Sequence, residues 1–135
     1  IEIRRKTMEE KISAIDTQEG GSHYKDQKVQ PMELAYYIGG TPAFCKLSKY
    51  MRVKEDQAED LRKAYHCIEF EEEMQYYAKR NYKYQDVDFI DYWINRHTTN
   101  QNIRNALWHL SQFNYCEAKM WVKTEAEARG IDLGK

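Results

Sequence analysis

The stretch from Thr41 to Tyr77 constrains this chain more than any other, because it is punctuated as two helices. It reads TPAFCKLSKYMRV, a break at KED, then QAEDLRKAYHCIEFEEEMQYY. Thr41 has a hydroxyl suited to capping a first helix, and Pro42 suits the first helical position because its missing N–H would have no partner there. Phe44, Leu47 and Met51, with Ser48 beside them, then share one face, while Cys45, Lys49 and Arg52 share another. Asp56 followed by Glu59 has the spacing of a capping box, after which Leu61, Ala64 and Ile68 recur at helical intervals. The second helix is predicted from Gln57 to Arg80, about 36 Å long.

The same signals organise the rest. Met8, Ile12 and Ile15 follow helical spacing behind Arg4-Arg5-Lys6, so a short amphipathic helix is predicted to end near Asp16. Residues 17–30 carry two glycines, many polar groups and no period, which reads as a loop. Pro31 opens a short helix that Gly39-Gly40 closes. Asp86 is placed to cap a further helix with Val87, Ile90, Trp93, Ile94 and His97 on its inner stripe, and Thr98-Thr99-Asn100 breaks it. A last helix is predicted from Gln101 to Arg129, with Gly130 as its left-handed terminator. No strand pattern competes. The fold class expected is therefore all-α: a helical bundle in one domain over 1–135, with an N-terminal helix at 1–16, a core at 22–80 and a C-terminal hairpin at 86–130.

Leu61-Arg62-Lys63-Ala64-Tyr65 matches Ile103-Arg104-Asn105-Ala106-Leu107, and Tyr50 matches Tyr92 at the same offset. An internal duplication of a helical hairpin would pack as a four-helix bundle, whose sites lie between facing helices.

Composition limits the function. Net charge is −1, so no global field holds nucleic acid or an anionic membrane, and no basic stripe appears along any element. No apolar run reaches the roughly 20 residues of a membrane span, and no signal-peptide pattern opens the chain, so a cytoplasmic protein is expected. Cys45, Cys67 and Cys116 are too far apart for a zinc knuckle and read as thiols of a reducing compartment. The sequence holds eleven Tyr and three Trp against four Phe. Such residues bury an apolar body and keep a polar tip, which suits a tyrosine-rich core, an interface or a base-stacking pocket.

Ser22-His23-Tyr24, Val29-Gln30-Pro31-Met32-Glu33, Phe44, Lys49-Tyr50, Arg52 and Asp60-Leu61-Arg62-Lys63-Ala64 together resemble a small bacteriophage protein family. Its members carry a Ser-His-Tyr tripeptide, a Pro-initiated short helix, a Lys-Tyr helix ending in Arg and an Asp-Leu-x-Lys-Ala helix; many are labelled nucleotide kinase. The pattern departs at Cys45-Lys46, where the family has Gly-Asn, and after Arg52. The resemblance implies a phage protein acting in an infected host cell, with nucleotide as its ligand.

Three chemistries follow. Lys49 and Arg52 lie one above the other, with Arg62 and Lys63 starting the facing helix, a set able to grip phosphate. Ser22, His23 and Tyr24 add hydroxyl and imidazole donors and a stacking ring, with His23 as the catalytic candidate. A nucleoside monophosphate kinase built this way would lack the G-x-x-x-x-G-K-[ST] loop, which occurs nowhere here. Alternatively Glu69 with Glu72 or Glu73, and Asp88 with Asp91, form two acidic pairs on successive helices able to hold Mg²⁺, similar to all-α nucleoside triphosphate pyrophosphatases. The third reading is non-enzymatic: a protein that binds a host factor through an aromatic patch including Tyr36, Tyr37 or Trp93. Self-association is expected with each. His66, His97 and His109 fall in or at the ends of apolar stripes and read as core residues.

Overall fold

The computed structural model describes residues 28–52 and 58–135. The helix expected at 1–16, the Ser22-His23-Tyr24 loop and the Asp56 half of the capping box lie outside the described residues. Those residues form seven α-helices and no strand: α1 Pro31–Ile38, α2 Pro42–Tyr50, α3 Ala58–Glu73, α4 Gln75–Asn81, α5 Val87–His97, α6 Gln101–Ser111 and α7 Tyr115–Ala128.

The helix starts follow from side-chain chemistry. Glu33 Oε1 accepts from the Gln30 N–H at 3.2 Å. Thr41 Oγ1 accepts from Phe44 N at 3.1 Å, Asp86 Oδ1 from Phe89 N at 3.0 Å, and Asn100 Oδ1 from Ile103 N at 2.9 Å. Each satisfies one donor that a helix start leaves open. Gly39 ends α1 at φ 77° and Gly130 follows α7 at φ 71°, as their positions predict.

Two predicted helices are interrupted. The long second helix bends at Met74, where the Gln75 side-chain amide turns back to donate to the Glu72 carbonyl at 3.0 Å. The last helix stops at Ser111, and Phe113 adopts φ 61°. There Asn114 N donates to His109 O at 2.8 Å and Phe113 N to Leu110 O at 2.9 Å. This paired closure is the one glycine usually makes at a helix C-terminus. Phe113 takes glycine's place because its ring packs edge-on against Tyr84, 5.6 Å between centroids.

Helices α2 and α3 pack as one hairpin and α6 and α7 as another. The hairpins join through α3 on α7 and α2 on α6, while α1 packs on α2 and α5, and α5 on α6. Phe44 and Leu47 from α2 with Met51 just after it, Leu61, Ala64 and Ile68 from α3, Ile103, Leu107 and Leu110 from α6, and Ala118 and Val122 from α7 share one buried cluster. The predicted stripe of α5 is buried at Ile90, Ile94 and His97, but Val87, the first residue of the helix, is exposed. His97 is indeed a core residue: it bonds the Val29 carbonyl through Nδ1 at 2.7 Å, and burial lowers its pKa. His66 is instead exposed, beside Glu69 and Phe70, and His109 is half-buried.

The matched segments of the internal repeat occupy equivalent stripes: Leu61 and Ile103, Ala64 and Ala106, Tyr65 and Leu107 are all buried. Amphipathic helices in a bundle produce such agreement with or without common origin.

Candidate functional site

The tight joint between α1 and α2 creates a concavity among the described residues. Gly39 turns the chain in the left-handed region, and the approach of residues 82–84 leaves no room for a side chain there: a Cβ on Gly39 would lie 2.7 Å from the Lys83 carbonyl oxygen. Gln85 N donates to Ile38 O at 3.0 Å, which holds this connecting strand of chain against the joint. Between them runs a groove of about 220 Å³ walled by Met32, Tyr36, Pro42, Cys45 and Tyr82, with Gly40 and Thr41 at its base. Its wall is mostly apolar. Met32 is 64% exposed and Tyr36 82% exposed, so the groove's two α1 walls project into solvent instead of packing.

Beneath the groove lies a polar network that the sequence reading did not single out. The Thr41 hydroxyl donates to Glu71 Oε1 in a short hydrogen bond, and Tyr84 Oη donates to Thr41 Oγ1 at 3.4 Å while accepting from Thr41 N at 3.2 Å. The Tyr115 hydroxyl faces the same carboxylate. Burial raises the Glu71 pKa, against the lowering effect of its hydroxyl neighbours, and burial likewise pushes both tyrosines above the usual phenol range. Glu71 thus joins α3 to the start of α2, and Thr41 carries the link on to Tyr84, before α5. Its signal in the sequence was hidden in the acidic run 69–73, where only spacing against a packed bundle reveals which glutamate turns inward.

The predicted phosphate set is only partly assembled. Lys49 Nζ and Lys63 Nζ lie 5.6 and 5.7 Å from the centroid of the Tyr50 ring, one from each arm of the hairpin. Arg62 points elsewhere, donating to the Asp132 carbonyl at 3.1 Å, and Lys63 also pairs with Glu59 at 3.5 Å. Arg52 is half-buried just beyond α2. Ser22, His23 and Tyr24 lie outside the described residues.

The four proposed metal carboxylates are dispersed. Glu69 accepts from Lys135 Nζ at 3.2 Å, Asp91 accepts from the Asn95 amide at 3.3 Å, and Glu73 and Asp88 are exposed. Their helices pack on different neighbours, α3 on α2, α4 and α7, and α5 on α1 and α6. Among the described residues no group of three or more His, Cys, Asp or Glu is placed to hold a metal ion.

The expected aromatic patch divides. Tyr36 projects at the groove, but the Tyr37 ring lies tilted against Trp93, 4.5 Å between centroids, and its hydroxyl donates to Glu33 Oε2 at 2.5 Å, so this pair packs against the core. Among the described residues no helix is long and apolar enough to cross a membrane. Comparison with protein-family models, curated proteins and solved structures finds no match.

Proposed function

We propose that this chain is a non-enzymatic interaction protein whose groove between α1 and α2 accepts an apolar side chain from a partner helix. The observation that carries this reading is the pairing of an apolar groove with Met32 and Tyr36 held out at its rim. Large apolar side chains beside a preformed concavity are what an interface anchor requires. The size supports a side chain rather than a nucleotide: about 220 Å³ falls below the roughly 300–1,000 Å³ of small-molecule sites. An apolar cavity of about 150 Å³ already holds a benzene-sized guest. The resemblance to phage proteins makes a host-cell protein the partner class, engaged by the helix-in-groove mode.

Screening amphipathic helical peptides by fluorescence polarisation tests the reading. Peptides with one aromatic or leucine anchor are expected to bind, and Tyr36→Glu and Met32→Glu are each expected to abolish binding without unfolding the protein. Binding unaffected by both substitutions, or no binding by any peptide, overturns it.

A second reading keeps the nucleotide. Its support is the convergence of Lys49 and Lys63 on the Tyr50 ring, which offers phosphate-binding cations next to a stacking surface. Thermal shift with nucleoside mono- and triphosphates, with and without Mg²⁺, tests it. A ligand at a hundred times its dissociation constant stabilises by about 2.7 kcal/mol, and Lys49→Ala with Lys63→Ala would remove that shift.

A further inference from the structure

We infer that the run from Met74 to Gln85 is a binding surface for single-stranded nucleic acid, a site that stands independently of the groove. These residues read MQYYAKRNYKYQ: four tyrosines interleaved with Lys79, Arg80 and Lys83, and no acidic residue. The net charge of −1 over the whole chain conceals this local excess. No basic stripe shows along one element because the three cations are split between α4 and the non-helical residues that follow it.

The run is fastened to the fold at two points and open elsewhere. Ala78 is buried, Tyr84 bonds Thr41, and Gln85 N donates to Ile38 O at 3.0 Å. The residues between these points, and Met74 to Tyr77 before them, are all exposed. Tyr76 and Tyr77 meet edge to face, 5.2 Å between centroids, and remain 64% and 56% exposed, so both rings keep surface open to a base. Every base has a π-face, so stacking on such rings tolerates any sequence.

The cations stand beside these rings on neutral partners. Lys79 Nζ donates to Gln75 Oε1 at 3.1 Å and lies 6.0 Å from the Phe113 centroid. Arg80 donates to Tyr76 Oη at 3.1 Å, with its guanidinium 6.0 Å from that ring's centroid. Among the described residues none of Lys79, Arg80 and Lys83 forms an ion pair, whereas Lys63, Lys119, Arg129 and Lys135 all do. Of the acids on either side, Glu72 is bonded by Lys119 and Asp86 caps α5, while Glu73 and Asp88 are exposed and bound the surface at its ends. Phosphates neutralise the cations and unpaired bases cover the rings, so a single strand uses both features. An acidic protein segment would leave the rings without a stacking partner, and a duplex keeps its bases stacked on each other.

Fluorescence polarisation of the whole chain at low salt, with labelled oligo-dT and oligo-rU of about 15 nucleotides, tests the assignment. At least one of the two is expected to bind, more tightly than a duplex of equal length, and the stronger of them tells DNA from RNA. Three phosphate contacts predict that log Kd rises with log salt at a slope of about 2. Lys79→Gln combined with Arg80→Gln and Lys83→Gln is expected to abolish binding, and Lys123→Gln on α7 to leave it unchanged. Tyr76→Ala and Tyr77→Ala should each weaken binding about fivefold or more without changing the salt slope. Tyr76→Phe keeps the ring and loses only the bond to Arg80, so it should bind like the parent. Circular dichroism checks that each variant stays folded. No binding of either strand, equal affinity for the duplex, or alanine variants that bind like the parent would overturn the proposal. Tighter binding of polyglutamate would also overturn it and assign an acidic protein segment instead. Tyr82 walls the groove as well and is left unaltered, so peptide binding should persist in every variant and the two readings fail separately.

Discussion

Two buried glutamates in this molecule carry opposite energetic signs, and the contrast comes from their partners. Glu125 accepts from Arg129 Nε at 2.6 Å and from the Asn100 and Asn102 amides, each at 3.1 Å. Burial pushes its pKa up, but the Arg129 bond and charge and both amides outweigh that and hold it below the usual range. Its ionised form therefore stabilises the fold above the unfolded carboxyl's pKa, and that contribution is lost as pH falls through the depressed folded value. Glu71 has one hydroxyl donor, Thr41, and a raised pKa, so the folded state keeps its proton where the unfolded state has lost it. Stability then falls as pH rises through the folded value and stays lower above it. Glu125→Gln should destabilise by about 1.5–3 kcal/mol, the scale of a hydrogen bond to a charged group. Glu71→Gln should stabilise at neutral pH by about 0.5–2 kcal/mol, typical of a single favourable substitution, with the gain vanishing in acid below the unfolded pKa. Urea denaturation across pH checks both; destabilisation by Glu71→Gln at neutral pH would mean the carboxylate is better paired than its hydroxyl neighbours imply. Neither glutamate was legible beforehand: Thr41, and the Asn100 and Asn102 amides, lie on other helices or at their starts, and only Arg129 is a local partner, four residues on from Glu125. Thr41 and Asp86 were legible as caps because their partners lie three residues on.

At the scale of elements, what could be read and what could not divides along backbone chemistry. Gly39 and Gly130 ended their helices as expected because glycine enters the left-handed region without steric penalty. The stop at Phe113 was unreadable because no glycine or proline marks it; tertiary contact with Tyr84 holds a phenylalanine where local preference would not. The bend at Met74 is similarly unmarked. The two glycines then make a controlled comparison. Both have positive φ, but a Cβ on Gly130 would meet nothing within 4 Å, whereas on Gly39 it would collide with the Lys83 carbonyl. Gly130→Ala should therefore cost only the left-handed strain, about 1–2 kcal/mol. Gly39→Ala should cost clearly more, because the connecting chain at Lys83 must also shift. Since that chain carries Tyr82 into the groove wall, Gly39→Ala should weaken peptide binding as well, which Gly130→Ala should leave intact. Paired thermal melts and polarisation titrations decide this; equal losses of stability would show that the Lys83 segment yields freely.

The whole molecule separates a shared core from a surface that stability does not explain. Leu47 in α2 and Ile68 in α3 are fully buried in a cluster that also takes residues from α1, α5, α6 and α7. Such a core, with one hydrophobic cluster spanning both hairpins, is expected to unfold in one transition. Its stripes were readable from period alone, since Phe44, Leu47, Met51, Leu61, Ala64 and Ile68 are all buried. The groove was not readable, because it depends on how α1 meets residues 82–84, and the excess of tyrosine suited a tyrosine-rich core as well as an interface. Leu47→Ala and Ile68→Ala should each lower stability by about 2–5 kcal/mol, through lost burial and the cavity left behind. Far-ultraviolet circular dichroism and aromatic fluorescence should shift together in both variants. Tyr36→Ala should instead stay within about 0.5 kcal/mol of the parent, as exposed substitutions do, while abolishing peptide binding. A loss near 2 kcal/mol at Tyr36 would place it in the core, and the groove would then lack the projecting anchor on which the interaction reading depends.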